Sequence, residues 1–245
     1  MTPPIQQAVI AAPDEPARPW LLAVRDKATS GALASVEEQL MKSRSRVKTY
    51  GEVFTPRHMV DQMLDLVHEE LEAGAGFIDK TFLEPAAGHG NFLVAILRRK
   101  LCAIENRYPA EEWPQESLFA LASIYGIELL EDNHRDAKAI MFAEFLGFHQ
   151  AHGVPCDPRT NLHHAATFLI DTNIVCGNTL SGQTPEGLDI QFSWWNRVPG
   201  ASGMVQREPF TIASLRGEHR FSFTSFASYQ VCRIDHVHNE VKVDA

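Results

Sequence analysis

The run Glu84-Pro85-Ala86-Ala87-Gly88-His89-Gly90-Asn91-Phe92-Leu93 stands between a short apolar strand, Thr81-Phe82-Leu83, and a helix that turns Phe92, Leu93, Ile96, Leu97 and Leu101 inward. Glycines at such a turn let the backbone approach a ligand closely, and the helix amino terminus beyond favours negative charge. A Gly-x-Gly turn alone is a weak signal. A dinucleotide fingerprint would need glycine where this chain has Leu93, which disfavours NAD. A phosphate-binding P-loop would end in Gly-Lys-Ser/Thr, and that ending is absent.

Outward from the run, strands alternate with helices. Upstream, Gly51-Glu52-Val53-Phe54-Thr55-Pro56 leads into a helix with Thr55 as N-cap and Pro56 at the first position, where its missing amide is harmless. Met59, Val60, Met63, Leu64, Val67 and Leu71 follow at helical spacing, and the helix should end by Gly74 or Gly76. A polar helix over 35–48 opens on a capping box, Ser35-Val36-Glu37-Glu38. Downstream, Pro109 and Pro114 break the pattern, and a helix over 117–123 leads into the strand Ile124-Tyr125-Gly126-Ile127-Glu128-Leu129. An amphipathic helix over 133–146 turns Ala137, Ile140, Met141 and Phe145 to one side, and a short helix near 161–168 precedes a strand over 173–178. Short strands, apolar throughout and alternating with helices, predict an α/β fold with a mainly parallel sheet covered by helices on both faces. Beyond Thr179 the composition turns β-rich. Phe192 and Trp194 suit one face of a hairpin, and 221–226 and 230–237 are further strand candidates. The expected organisation is a disordered leader over 1–30, an N-terminal helical segment over 31–76, a core over 77–180 and a β-rich portion over 181–245.

A chain of 245 residues with 44% hydrophobic content can bury one substantial core. No apolar run approaches the roughly 18 residues that a membrane span needs. Four cysteines without a C-x-x-C pair argue against a zinc site or a disulfide framework and suit a reducing, cytoplasmic setting. His163-His164 and His236-x-His238 lack a nearby Cys or carboxylate partner and read as surface decoration, so no metal is expected. The net charge of -9 is awkward for a protein that grips DNA by itself. Two basic clusters, Lys42, Arg44, Arg46, Lys48 and Arg98, Arg99, Lys100, are open to two readings: a local DNA-facing surface, or solvated helix faces.

The glycine-loop run resembles the first motif of the gamma-type adenine-specific DNA methyltransferases, and Gly51-Glu52-Val53-Phe54-Thr55-Pro56 resembles that family's Phe-Thr-Pro motif. Tyr125-Gly126-Ile127-Glu128 is similar to its second motif and Ile174-Val175-Cys176-Gly177-Asn178 to its third. The resemblance implies a Rossmann-like S-adenosylmethionine methyltransferase fold preceded by N-terminal helices. It implies that Glu84 and the loop around Ala86, Gly88, Gly90, Asn91 and Phe92 receive the methionine part of S-adenosylmethionine, with Thr55 and Pro56 closing over it. It also implies that Glu128 accepts hydrogen bonds from both ribose hydroxyls, that Asn178 bonds the adenine amino group, and that Phe54 and Leu129 form apolar walls.

In that family an Asn or Asp followed by Pro-Pro and an aromatic holds the flipped-out adenine. The tetrapeptide is absent here; Thr2-Pro3-Pro4-Ile5 has the wrong residues and place. Asn196 can be aligned with the catalytic Asn, with Trp194 and Trp195 as stacking surfaces, or those residues can form an ordinary hairpin. Residues 181–245 are too few to complete the sheet and also supply a recognition domain. The expected function is thus a DNA adenine-N6 methyltransferase, or its cofactor-binding subunit, from a restriction-modification or phage-defence system. DNA would then be engaged through a partner chain, a second methyltransferase or a specificity subunit. The alternative is a catalytically inactive methyltransferase-like scaffold or regulator. A small-molecule or protein methyltransferase is disfavoured by the Phe-Thr-Pro motif.

Overall fold

The computed structural model describes residues 40–215 and 228–243; the leader over 1–30, the capping box at 35–38 and the strand candidate at 221–226 lie outside the described residues. The first helix among the described residues, α1 (Arg44–Tyr50), is capped by Ser43, whose Oγ accepts from the Arg46 amide at 3.2 Å, and it ends at Gly51 with φ +68°. The helix after the Phe-Thr-Pro run is shorter than expected. It breaks into α2 (Arg57–Asp65) and α3 (His68–Glu72). Pro56 rather than Thr55 occupies the N-cap, and its carbonyl accepts from the amides of Met59 and Val60. Only Val60 and Leu64 of the expected stripe are buried, while Met59 and Met63 face outward. Two residues four apart suffice for the single line of contact that α2 makes with its neighbour.

The core follows as β1 (Phe82–Glu84), α4 (Asn91–Arg107), α5 (Trp113–Ala122), β2 (Ile124–Glu128), α6 (Glu131–Ala151), α7 (Asn161–Asn173) and β3 (Ile174–Cys176). Pro114, expected to break the chain, instead lies in the first turn of α5, where no intrahelical amide bond is lost. Phe92 is only partly buried, whereas Leu93, Ile96, Leu97 and Leu101 go inward as predicted. Strands β1, β2 and β3 form a parallel sheet in that order, with Leu83 opposite Tyr125 and Glu128 opposite Cys176. The protein is thus mixed α/β with a three-stranded parallel sheet. No helix among the described residues is long and apolar enough to cross a membrane.

Helices do not cover both faces of β2. On one face, a Cβ at Gly126 would come within 3.0 Å of Leu93 of α4. On the other lies an antiparallel hairpin, β4 (Gln191–Arg197) and β5 (Met204–Thr211). Tyr125 meets Phe192, Trp194 and Phe210 edge-on there, and its hydroxyl donates to the Ser193 carbonyl at 2.8 Å. Alternation along β4 and β5 lets one hairpin present three aromatic rings, the apolar surface that a covering helix would otherwise supply. Trp195 points the other way, and its Nε1 donates to Asn173 Oδ1 at 3.0 Å. After β5 come α8 (Ile212–Leu215), β6 (Ser228–Tyr229), β7 (Cys232–Arg233), a 3-10 helix (Ile234–Asn239) and β8 (Lys242–Val243). The candidate strand over 230–237 is therefore a strand only at Cys232–Arg233, and its second half is 3-10 helix. Its Ile234 and Val237 are buried three residues apart, a spacing that suits a 3-10 turn rather than a strand face.

Two histidines are held neutral in this core. His149 is fully buried with Nε2 3.0 Å from Ser117 Oγ, and burial pushes its imidazole down to about 4. Burial, with a smaller contribution from the Lys138 charge, pushes His134 down to about 4 as well. Both folded values lie below the ordinary 6.5, so the unfolded chain binds more protons between pH 6.5 and 4. Their contribution is complete above pH 6.5 and is lost as the pH falls towards 4. By pH 5 each should have cost about 2 kcal/mol. Urea unfolding at pH 7 and pH 5 should show a smaller acid loss for His149→Gln than for the wild type; equal losses would contradict the assignment.

Candidate functional site

A cavity of about 290 Å³ opens at the carboxyl ends of the three parallel strands. Gly51, Glu52, Val53 and Phe54 wall one side, Pro85, Ala86 and Gly88 another, and Glu128, Leu129, Leu130 and Asn133 the floor. Gly177, Asn178, Thr179 and Leu180 close it. Crevices of this kind, outside strand carboxyl ends, are where open α/β sheets take their ligands.

Glu128 organises the floor. Its Oε2 accepts from the Gly88 amide at 2.7 Å, and its Oε1 accepts from the Leu130 amide at 3.0 Å and from Asn133 Nδ2 at 3.3 Å. Burial raises the Glu128 carboxyl above the usual carboxylate range, the three donors pull it back, and the nearby Glu52 carboxylate adds to the rise. Asn133 Nδ2 also lies 3.3 Å from Glu52 Oε1, so one amide nitrogen bridges two carboxylates. Its Oδ1 is buried and has no hydrogen-bond partner among the described residues.

The segment carrying Glu52 is clamped to α6 by charge. Arg46 donates to Glu52 and, at 2.7 and 2.9 Å, to both oxygens of Asp132. Lys42 reaches Asp132 and Asp136 at 2.8 Å each. The two cations hold the Asp132 carboxyl well below the usual range, the Arg46 hydrogen bond contributing most. Asp132 also lies in the first turn of α6, where the helix dipole favours an anion. Arg98 pairs with Glu144, Arg99 pairs with Glu72 and Asp65, and the Lys100 ammonium is buried against the carbonyls of Ile78 and Lys80 and the Ser123 hydroxyl. The second basic cluster is thus consumed by internal contacts, and so are Lys42 and Arg46, half of the first. Arg44 and Lys48 remain exposed.

Six expected site residues line the cavity: Phe54, Ala86, Gly88, Glu128, Leu129 and Asn178. The other six stand behind it and shape it. Glu84 Oε1 accepts from the Ala86 amide at 3.0 Å, which bends the loop. Asn91 Nδ2 donates to the Thr55 carbonyl at 2.8 Å and so ties the Phe-Thr-Pro segment to α4. Pro56 starts α2, and Phe92 packs on the core. Gly90 has φ +96°, and a Cβ there would lie 3.0 Å from the Ala137 Cα, so its smallness serves helix packing. Phe54 stacks on His89 with ring centroids 4.1 Å apart. Asn178 Oδ1 accepts from the Leu180 amide at 2.9 Å and the Ser181 amide at 3.4 Å, so the donor nitrogen is the part of its amide left to meet a ligand. That suits an acceptor, such as an adenine ring nitrogen, better than an amino group.

Glu52 and Asn133 are cavity residues that the motifs did not single out. Glu52 lies inside a quoted motif without being assigned a role, and Asn133 follows Glu128 by five positions with no motif around it. Asn196 belongs elsewhere. It borders a second hollow with Thr81, Ser123 and Trp194, at the amino ends of β1 and β2, and its Nδ2 donates to Glu208 at 3.2 Å. The geometry removes it from any reaction at the carboxyl-end cavity, and Trp194 is engaged with Phe210 at 4.2 Å. The histidine pairs are not plain surface decoration either. His163 is buried, and the rings of His164 and His238 approach to 5.3 Å, although the described residues hold no cluster suited to a metal ion. Compared with protein-family models, curated proteins and solved structures, the chain matches none.

Proposed function

We propose that this chain is the S-adenosylmethionine-binding part of a DNA adenine-N6 methyltransferase from a restriction-modification or phage-defence system, built on the Rossmann-like fold of that class. The observation that carries the reading is convergence. Residues 51–54, Pro85, Ala86 and Gly88, 128–130 and 177–180, each stretch within or running on from one of the four motifs, wall a single cavity. The residues suit the ligand. Two carboxylates, Glu52 and Glu128, favour a cationic, donor-rich molecule.

When bound, the cofactor supplies a methyl group on a sulfonium, open to displacement by an amino nitrogen. The chain's own part is to hold and orient. Glu128 accepts from the ribose, Ala86 and Gly88 offer close backbone, Phe54 and Leu129 exclude water, and positioning supplies most of the rate. Residues that hold the base come from a partner chain, since Asn196 lies at the opposite end of the strands. The scaffold reading has its own support in the internal pairing of Lys42, Arg46, Arg98 and Arg99, which withdraws cations from any phosphate backbone.

Transfer of tritiated methyl groups to mixed-sequence duplex DNA tests the choice, with and without the product of the neighbouring gene. The expected result is incorporation only with the partner. Incorporation by the chain alone would overturn both the partner requirement and the scaffold reading, and no incorporation in either arm would favour the scaffold.

A further inference from the structure

We propose that the free edge of β4 is a docking site for an extended segment of a partner protein, which adds to the hairpin as a further strand and is anchored in the second hollow. The inference does not depend on the cofactor reading. In the order β4-β5-β7, β4 has a neighbour on one side only. The bonds just beyond its two ends, Val198 amide to Met204 carbonyl and Ile212 amide to Ile190 carbonyl, set the phase of the ladder. With Asn196 opposite Gln206, even-numbered residues of β4 bond to β5 and odd-numbered ones turn their backbone groups outward. The Tyr125 hydroxyl agrees with this phase, since it donates to the outward carbonyl of Ser193 at 2.8 Å. The Ser193 amide and the amides and carbonyls of Trp195 and Arg197 then face outward with no described strand to pair them. Such a row is a template for another strand.

The second hollow lies along this edge. Trp194, Trp195, Asn196 and Arg197 line it, and no residue of β5 does. Asp79, Thr81, Phe119 and Ser123 form the facing wall. Its volume of about 200 Å³ is below the roughly 300–1,000 Å³ of small-molecule pockets. Alternating donors and acceptors along one wall match instead the backbone of an extended chain. A second copy is a poor occupant. Paired strands lie roughly 4.8 Å apart, and the wall of Asp79 and Thr81 in each copy would block that edge-to-edge approach. Charge narrows the partner further. Arg197 lies over the Phe119 ring and is spent on Asp79 at 2.7 Å and on the two oxygens of Glu116 at 3.0 and 2.6 Å. The Lys100 ammonium is buried behind Ser123. Asp79 stays half exposed, so the favoured occupant is a segment with Lys or Arg beside Asp79 and no proline against β4.

A phage-displayed library of random peptides of about twelve residues, long enough for one strand, panned against the full chain, tests the proposal. Enriched peptides should be rich in β-branched residues, carry Lys or Arg, and lack proline within the strand. Once synthesised, they should bind about tenfold or more weakly when the alternate amides that face β4 are N-methylated, because each methyl removes a ladder bond. Methylation of the intervening amides should have a much smaller effect. Thr81→Trp, at an exposed position of the facing wall, should fill the hollow and weaken binding by a comparable factor while the circular dichroism spectrum is unchanged. No enrichment, peptides indifferent to which amides are methylated, or peptides that bind Thr81→Trp as well as the wild type would overturn the proposal. So would a dimer in sedimentation that Thr81→Trp dissociates, because a second copy would then be the occupant.

Discussion

Glu128→Ala is expected to weaken S-adenosylmethionine binding by about a hundredfold or more, with a far smaller effect on thermal stability. The substitution removes the carboxylate that should accept from the ribose. It also releases the Gly88 amide, the Leu130 amide and Asn133 Nδ2, which Glu128 now holds at 2.7, 3.0 and 3.3 Å. A hydrogen bond to a charged group contributes about 1.5–3 kcal/mol, so losing one ligand contact, together with the release of the donors that shape the floor, accounts for the predicted factor. Stability should suffer less because the released donors border an open cavity that water can enter. Glu128→Gln keeps the shape and an acceptor oxygen, and should lose about tenfold. Because burial raises the Glu128 carboxyl, acidification should weaken binding at a higher pH than an ordinary carboxylate would dictate, and the Gln variant should lack that dependence. Calorimetry across pH separates these cases. Unchanged affinity in Glu128→Ala would remove the ligand from this site.

Gly90→Ala should have the largest effect on the fold among substitutions in the glycine loop, about 3 kcal/mol. Its φ of +96° disfavours a side chain, and the new Cβ would lie 3.0 Å from the Ala137 backbone and 3.1 Å from Ile140 Cδ1. The Ile140 side chain can rotate aside, but the Ala137 backbone cannot move without shifting α6. Gly88→Ala is different. Its φ of +55° is a conformation alanine tolerates at about 1 kcal/mol, and its Cβ would press on the Phe54 ring at 3.2 Å, a side chain that can yield. Chemical denaturation should therefore rank Gly90→Ala as much less stable than Gly88→Ala, while Gly88→Ala should disturb ligand binding by displacing Phe54. The reverse order would mean that the glycines had been assigned to the wrong tasks.

The parts legible in the sequence were those whose cause is local. The glycine turn, the apolar β2 and the inward positions Leu93, Leu97, Ala137 and Phe145 follow from short-range periodicity, and the structure buries the four side chains accordingly. Pro114 went astray because its effect depends on whether it falls in the first turn of a helix or later, and composition does not mark that boundary. The hairpin over Tyr125 was legible as a hairpin but not as the cover of the sheet, since alternation gives a face without naming what it packs against. The basic clusters were opaque for a similar reason. Arg46 and Lys42 find their carboxylates on α6, some 90 residues later in the chain. Glu52 and Asn133 gain meaning only when that long-range clamp brings them to the same floor as Glu128.

Calorimetric titration of the wild-type chain with S-adenosylmethionine tests the central claim most directly. Saturable binding of one molecule per chain in the micromolar range, weakened by about a hundredfold or more in Glu128→Ala, is the predicted result. No measurable heat at millimolar ligand, or binding that Glu128→Ala leaves intact, would contradict it.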